Sequence, residues 1–286
     1  MHWISFKNSK IRVYGREGRV ALKGIQEEHT AFLHNLLSND IRGMGEYTVS
    51  YNLWLKQNGF PIGEFYVLKV GNEYILDTPL EGSLVLEEFN RLRLSMKVYF
   101  ELLDWDHLFI FGEGAREYIG VELKEGEVRR VDGMYVAHNN LRLREEGYDI
   151  MGKDLVLNLK EEDRITQEDF EHERILRMVP KLGKELRDGF SPLEACLLKY
   201  AISLTKGCYV GQEAIARVYY RGRPSRVLAL FEGEGFLEGD AIISDGKRVG
   251  VITSVSPKGR VALGYILRSA LGERLEEDIR LLKTCD

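Results

Sequence analysis

The sequence is poor in cysteine. Its 286 residues contain three, at positions 196, 208 and 285, and no two of them form a CxxC pair. So few thiols argue against a disulfide framework and against a cysteine-based zinc site. We predict a protein of a reducing compartment, with no metal site.

Long hydrophobic runs are also missing. No stretch approaches the roughly 18 apolar residues of a membrane span. The N-terminal segment, residues 1–7, has neither the basic start nor the apolar core of a signal peptide. We therefore predict a cytoplasmic protein with no membrane partner.

A strongly basic charge balance is absent as well. The formal net charge is -5, and Lys and Arg are spread widely along the chain. No strong positive field indicates nucleic acid, so DNA is not expected as a partner. A local basic patch for RNA remains compatible with an acidic total.

What is present is enough apolar material for a large core. Hydrophobic residues make up 44% of the chain and charged residues 30%, as in ordinary globular proteins, and the length suits two or three packed units. Residues 219–226 are basic, aromatic and broken by Gly and Pro, which predicts a linker. Short strands separated by turn residues then predict a small antiparallel barrel at 222–286.

The first half of the chain alternates strand and helix patterns. Apolar spacing predicts helices over 27–37 and 81–94. Short strands are predicted before the first helix, Val20–Leu22 included, and a β-meander is predicted over 47–77. We predict further strands at 95–103, 107–111, 114–119 and 128–143, with His107 and His138 as structural histidines.

The second half contains two helix starts. Thr166 is a predicted N-cap for a helix to about Val179, whose charges, Glu168 to Arg177, are predicted to form a solvated face. Ser191 and Pro192 predict a helix with Glu194 in its first turn. The apolar residues after 270 fit either a helix or a closing strand.

The most informative stretch is Lys206-Gly-Cys-Tyr-Val-Gly-Gln-Glu213. It combines a thiol, a phenol, an amide, a carboxylate and an ammonium with two glycines, which no secondary-structure pattern requires. Lys206 lies close enough in sequence to favour the reactive thiolate of Cys208. A loop around a small buried cysteine is the alternative.

This octapeptide, continuing to Arg217, resembles the signature of the YgfZ-type folate-binding proteins, relatives of the aminomethyltransferase (T-protein) of the glycine cleavage system. Weaker similarities are Phe32–Asp40, Ser191–Ala195 and Val249–Ser254. The resemblance implies an α+β, T-protein-like fold: two α+β modules in residues 1–218, near 1–95 and 96–218, plus the C-terminal barrel. It implies tetrahydrofolate, or a derivative such as 5-formyltetrahydrofolate, as cofactor.

The resemblance also implies roles for single residues. Glu194 matches the glutamate that binds the pterin, and Cys196 matches a small packing residue. Asp40 is either a turn residue or a ligand contact. The predicted site comprises Cys208 as functional thiol with Lys206; Glu194, Tyr209, Gln212, Asp40 and Glu64 for folate; the loop residues Gly207, Gly211, Glu213 and Arg217; and Arg223 and Arg226 for an anionic tail or RNA.

One position departs from the aminomethyltransferases. Their acidic pair near the folate's reactive nitrogens corresponds to Gly63 and Glu64 here. A glycine does no acid–base chemistry, which counts against methylene transfer and leaves a pterin site possible. Glu64 could equally face solvent.

Three functions remain open. The resemblance implies a folate-binding factor of iron–sulfur cluster assembly or repair, or of tRNA modification, with iron–sulfur proteins or tRNA as partners. An aminomethyltransferase is the first alternative. A non-catalytic scaffold with the folate-binding fold is the second, and the residues do not separate it from the first reading.

Overall fold

The computed structural model of the chain describes residues 1–15, 27–276 and 278–286. The described chain divides into two compact units. Unit 1 comprises residues 1–55, 63–164 and 200–210; unit 2 comprises 56–62, 165–199 and 211–286. The domain boundaries predicted from the sequence, 1–218 and 222–286, differ from this division. They stay a prediction.

Strands dominate the described residues. They are β1 (His2–Ser5), β2 (Ser9–Tyr14), β3 (Thr48–Leu55), β4 (Pro61–Val70), β5 (Glu73–Thr78), β6 (Tyr99–Leu103), β7 (Asp106–Phe111), β8 (Val128–Val131), β9 (Met134–His138), β10 (Gly147–Gly152), β11 (Arg226–Glu232), β12 (Ala241–Ser244), β13 (Lys247–Val255), β14 (Val261–Leu267) and β15 (Arg280–Thr284). The α-helices are α1 (Glu28–Leu36), α2 (Gly82–Leu92), α3 (Ala115–Ile119), α4 (Gln167–Leu176), α5 (Leu198–Ala201) and α6 (Gln212–Tyr220).

Unit 1 contains two five-stranded sheets. Their strand orders are β3-β4-β5-β2-β6 and β1-β7-β10-β9-β8, and the strand pairs with a resolved register are antiparallel. Helices α1 and α2 place Phe32 and Phe89 edge to face, 5.5 Å between ring centroids. The predicted meander and both predicted helices of this region are confirmed.

A buried ion network joins the two sheets of unit 1. Asp77 on β5 and Asp149 on β10 are fully buried, and Arg142 binds both. Arg142 Nη2 lies 2.6 Å from Asp77 Oδ2. Lys10 lies 2.8 Å from the other Asp77 oxygen, and His107 Nε2 lies 2.8 Å from Asp149. The arginine lowers the pKa of both carboxyls against the opposing effect of burial.

Unit 2 is built on one five-stranded sheet in the order β12-β13-β14-β11-β15. Its core is apolar and includes Val227, Phe231 and Ile266. The C-terminal residues thus add a strand, β15, to this sheet. Of the helix and the strand predicted for the tail, the strand is therefore the one observed. Closure of the sheet into a barrel stays a prediction.

Helix α4 begins as predicted and differs from prediction on its charged face. Thr166 and Asp169 form a capping box. Arg174 is buried, and binds Glu185 at 3.1 Å and Ser254 at 2.9 Å. The prediction of a wholly solvated charged face was therefore wrong, because this arginine docks the helix on the sheet of unit 2.

Two further segments correct the sequence-based predictions. Residues 115–119 form helix α3, bounded by left-handed Gly114 and Gly120, where a strand was predicted. Residues 192–196 form hydrogen-bonded turns, and no helix begins at Pro192. The predicted strand Val20–Leu22 lies outside the described residues.

Cys196 and Cys285 form a disulfide within unit 2. Cys196 also packs against the apolar core of unit 2, as predicted, and the disulfide is a further role that the sequence did not predict. The two cysteines are 89 residues apart, and no local sequence pattern indicates such a pairing. The bond ties the end of β15 to the turn that carries Glu194.

Candidate functional site

The octapeptide at 206–213 passes along the chain from unit 1 into unit 2. Lys206 to Val210 are the last residues of unit 1, and Gly211 opens the part of unit 2 that contains α6. Gly211 adopts φ 85°, a left-handed conformation that favours glycine, directly before the helix. The predicted site residues are accordingly described in two groups.

Lys206 fixes the start of the octapeptide to the end of α1. Its buried ammonium donates hydrogen bonds to the carbonyl oxygens of His34 (2.5 Å), Leu37 and Asn39 (2.8 Å). Burial lowers the pKa of this ammonium to about 7, while the carbonyls at a helix C-terminus favour its charged form. The lysine thus has an anchoring role, and its predicted effect on Cys208 stays a prediction.

Ser38 and Asn39 connect the same region to strand β3. The Ser38 hydroxyl donates to Ala201 O at 2.6 Å and accepts from the Leu53 amide at 2.9 Å. The Asn39 amide donates to the carbonyl oxygens of Tyr51 and Tyr200. These bonds hold residues 38–39 against strand β3 and residues 200–201. The segments 32–40 and 206–213, both singled out in the sequence, meet through the hydrogen bonds of Lys206.

Asp40 is exposed and forms a turn. Its Oδ1 accepts the Gly43 amide at 3.1 Å and lies 3.4 Å from His34 Nδ1. This geometry fits the turn interpretation of Asp40. Its predicted contact with a ligand stays a prediction.

His34 is buried beside this turn, next to Lys206. Burial first, and then the charges of Lys206 and Arg42, lower its pKa to about 4. The unfolded chain, with an ordinary histidine pKa near 6.5, therefore binds more protons than the folded chain between these values. This contribution to stability is complete above pH 6.5 and is lost as the pH falls toward 4.

We expect the denaturant midpoint of the wild-type protein to fall across this pH range, and to fall less steeply in His34→Gln. Urea unfolding at several pH values measures this. His29, whose pKa is also lowered by burial, is unchanged in both proteins, so the difference between their slopes isolates His34. Equal slopes would contradict the assignment.

Cys208 and Tyr209 follow Lys206 in unit 1. Cys208 is an exposed free thiol. Tyr209 is buried, its ring lies 4.7 Å from Lys206 Nζ, and its hydroxyl has no hydrogen-bond partner among the described residues. The exposed thiol of Cys208 thus lies between the anchored Lys206 and Tyr209, whose hydroxyl can still accept or donate a hydrogen bond.

Glu64 and Gly63 point in opposite directions from β4. A Cβ on Gly63 would lie 3.1 Å from Leu80 and 3.4 Å from Trp54, so a side chain at position 63 would point toward these residues and would require them to shift. Glu64 accepts a 2.6 Å hydrogen bond from the Tyr51 hydroxyl. Burial, then Glu64, raises the pKa of Tyr51, which keeps this phenol protonated.

Sequence reasoning missed the aromatic and cationic neighbours of this pair. The Tyr51 and Tyr66 rings lie 4.9 Å apart, and Arg144 lies 5.4 Å from the Tyr200 ring. Arg144 is on the loop before β10, where it resembles an ordinary surface charge in the sequence. Its local pattern carries no signal of burial.

In unit 2, Glu194 is buried and paired with Arg226. Arg226 Nε lies 2.8 Å from Oε1, and Arg226 Nη2 lies 3.1 Å from Oε2, which also accepts the Ser191 amide. Arg226 had been predicted to contact an anionic tail or RNA. The carboxylate keeps acceptor capacity at Oε1, so pterin binding by Glu194 stays a prediction, with Arg226 as a partner that the sequence did not reveal.

The remaining predicted residues lie on or after α6. Gln212 and Glu213 begin the helix, where a carboxylate is favoured by the helix dipole. Arg217 and Arg223 are exposed. Their predicted contacts with a ligand or RNA stay predictions.

In residues 1–15, 27–276 and 278–286, no group of three or more His, Cys, Asp or Glu side chains is placed to hold a metal ion. None of the helices in this part of the chain has the length and apolar character needed to cross a membrane.

Known proteins resemble this chain in sequence and in fold. No family model matches the chain. It is 52% identical to an uncharacterized protein of Aquifex aeolicus over 139 residues, 46% of this chain and 93% of that protein. It is 26% identical to the tRNA-modifying protein YgfZ of Vibrio atlanticus over 155 residues, which cover 52% of this chain and 46% of that protein.

Among solved structures, the glycine cleavage system aminomethyltransferase T of Bartonella henselae superimposes with a TM-score of 0.80 at 15% identity. The match covers 100% of this chain and 85% of that one. An identity this low shows the fold alone. The chain belongs to one family with the Aquifex aeolicus protein, and its fold is that of aminomethyltransferase T.

Proposed function

We propose that the protein binds a reduced folate, tetrahydrofolate or a derivative such as 5-formyltetrahydrofolate, and acts with Cys208 as its functional thiol. The role proposed is iron–sulfur cluster assembly or repair, or tRNA modification. The observation that carries the proposal is the junction in unit 1, where the 32–40 segment holds Lys206 and thereby the start of the loop containing Cys208. The fold, and the similarity to a YgfZ protein, support it.

The described residues of unit 1 fit a folate chemically. A folate has two planar ring systems, N–H donors and carboxylates. Unit 1 supplies tyrosine rings, the Glu64 carboxylate and the buried, unpartnered polar atoms Tyr209 Oη and Arg144 Nη2. Glu64 and Tyr209 would hold the ligand in this unit, and Asp40 would adjoin it. When bound, the folate supplies a one-carbon carrier.

In unit 2, we propose Glu194 and Gln212 as folate contacts and the exposed Arg217 and Arg223 as contacts for an anionic tail or RNA. Glu194 would accept pterin N–H groups at its remaining acceptor site. We also propose that the five strands of unit 2 close into a barrel. Iron–sulfur proteins or tRNA are the proposed macromolecular partners.

The test is calorimetric titration with 5-formyltetrahydrofolate. We expect wild-type protein to bind and Glu64→Gln to bind at least about ten-fold more weakly, a loss of about 1.4 kcal/mol, because a neutral amide accepts ligand N–H groups less strongly than a carboxylate. The exposed Glu46→Gln is the matched control and should bind as wild type does. Cys208→Ser should also retain binding, because the exposed thiol serves chemistry after binding.

If the wild-type protein does not bind, the folate proposal is contradicted, and a non-catalytic scaffold becomes the favoured function. Binding that is unaffected in Glu64→Gln would remove Glu64 from the site. Glu194→Gln tests the residue of unit 2 separately; its thermal stability must be measured alongside, because Glu194 also partners Arg226.

Aminomethyl transfer to tetrahydrofolate is the second candidate, favoured by the fold. The orientation of Gly63 weakens it, because a carboxylate at that position would point toward Leu80 and Trp54. In aminomethyl transfer, Glu64 would therefore be the acidic residue that β4 contributes.

A further inference from the structure

Arg142 and Arg144 are two residues apart on the loop before β10 and have opposite surroundings. Arg142 is paired with two buried aspartates, and the Tyr66 ring lies 4.0 Å from its Cζ. Arg144 forms no ion pair within the described residues, and its Nη2 is shielded from solvent without a hydrogen-bond acceptor among them. Since Asp77 and Asp149 already bind Arg142, they are not the missing partners.

The contacts of the Arg144 guanidinium do not explain how this residue would stabilise the fold. A buried guanidinium N–H without an acceptor is unfavourable, since it has lost water and gained no partner. Arg144 also adopts φ 54°, a left-handed conformation that is strained for a residue other than glycine. Burial lowers the pKa of its guanidinium, and the neighbouring Tyr200, Tyr51 and Tyr66 only partly oppose this.

The surroundings of Arg144 indicate the chemistry of the missing partner. The guanidinium lies 5.4 Å from the Tyr200 ring, and the other neighbours that act on its charge, Tyr51 and Tyr66, are phenols rather than carboxylates. A guanidinium prefers a carboxylate or phosphate, to which it can donate two parallel hydrogen bonds. A carboxylate on a ligand would supply the acceptor that Arg144 Nη2 lacks among the described residues.

We propose that Arg144 binds a carboxylate of the ligand and, resting on the folate function proposed above, that this carboxylate belongs to the glutamyl part of the p-aminobenzoylglutamate portion. Arg144 is then a ligand-binding residue whose Nη2 finds no acceptor among the described residues of the fold. Its removal should weaken binding without weakening the fold.

The test uses the full-length protein and three probes in calorimetric titrations. They are 5-formyltetrahydrofolate; p-aminobenzoylglutamate, which has the carboxylates and no pterin; and 6-methyltetrahydropterin, which has the pterin and no carboxylate. Arg144→Gln should bind the first two at least about ten-fold more weakly than wild type and the third equally well. Arg144→Lys should be intermediate, because it keeps the charge and loses the planar fork.

Thermal unfolding of the ligand-free variants separates a binding role from a structural one. Arg144→Gln should unfold at the wild-type temperature or above it. The exposed Arg129→Gln, also in unit 1, is the matched control and should change no titration. Equal affinity of wild type and Arg144→Gln for 5-formyltetrahydrofolate would overturn the proposal, and so would a lowered unfolding temperature with equal losses for all three probes.

Failure of the folate function is distinguishable from failure of this inference. If the wild-type protein does not bind 5-formyltetrahydrofolate but binds p-aminobenzoylglutamate through Arg144, the carboxylate site is supported and the folate function is contradicted. If wild type and Arg144→Gln bind 5-formyltetrahydrofolate equally, the folate function is supported and the Arg144 site is contradicted. Binding of neither probe would reject both.

Discussion

Replacing Arg142 by methionine is expected to lower the free energy of unfolding by about 4 kcal/mol, because the change leaves two buried carboxylates short of positive charge. Asp77 retains Lys10 and Asp149 retains His107, yet neither aspartate can reach water. Methionine fills much of the volume with a flexible apolar chain, so the loss reports charge rather than a cavity. Urea unfolding measured at pH 7 gives the value.

The matched control for this change is Arg129→Met. Arg129 forms an exposed pair with Glu127 at 3.1 Å, and exposed pairs contribute roughly 0–1 kcal/mol. A loss below about 1 kcal/mol in Arg142→Met, comparable to a surface pair, would show that the network between the two sheets is dispensable. Adding Asp149→Asn should recover part of the loss, because it removes one of the stranded charges.

Replacing Lys206 by methionine is expected to cost about 3 kcal/mol of unfolding free energy, because three carbonyl oxygens at the end of α1 lose a charged donor together. The apolar stem of the side chain is retained. The exposed Lys153→Met controls for loss of a lysine charge and should be nearly neutral. Chemical denaturation of the three proteins provides the comparison.

The same samples decide whether Lys206 also tunes Cys208. The pH dependence of Cys208 alkylation in the folded protein gives the thiol pKa directly. A higher thiol pKa in Lys206→Met would support electrostatic tuning. An unchanged thiol pKa with a large stability loss would leave the lysine as an anchor, and a small stability loss would contradict the anchoring role itself.

Local patterns predicted much of the fold. Apolar periodicity located α1, α2 and the meander, and Thr166 was recognised as an N-cap because its partner Asp169 is three residues away. The C-terminal strand was one of two predicted structures, since five residues are too few for periodicity to decide. Helix α3 was missed for the same reason, as its ends depend on two glycine conformations rather than on a pattern of apolar residues.

The candidate site was predictable as a set of residues and not as a set of contacts. The octapeptide stood out by composition. The partners that fix it lie far away in sequence: Lys206 binds carbonyls about 170 residues earlier, and Arg226 follows Glu194 by 32. Burial of Arg142 and Arg174 and the shielding of Arg144 Nη2 were likewise hidden, because they depend on tertiary contacts that neighbouring residues do not encode.

The disulfide has a consequence for the covalent topology of the protein. Cys196 and Cys285 enclose α6, the exposed basic segment after it and strands β11–β15 in one covalent ring. A single proteolytic cut within that ring, for example after the exposed Arg221, opens the ring and releases no fragment. The two pieces remain one molecule, even when denatured, until a reductant is added. A nick in this exposed segment thus leaves the molecular mass essentially unchanged.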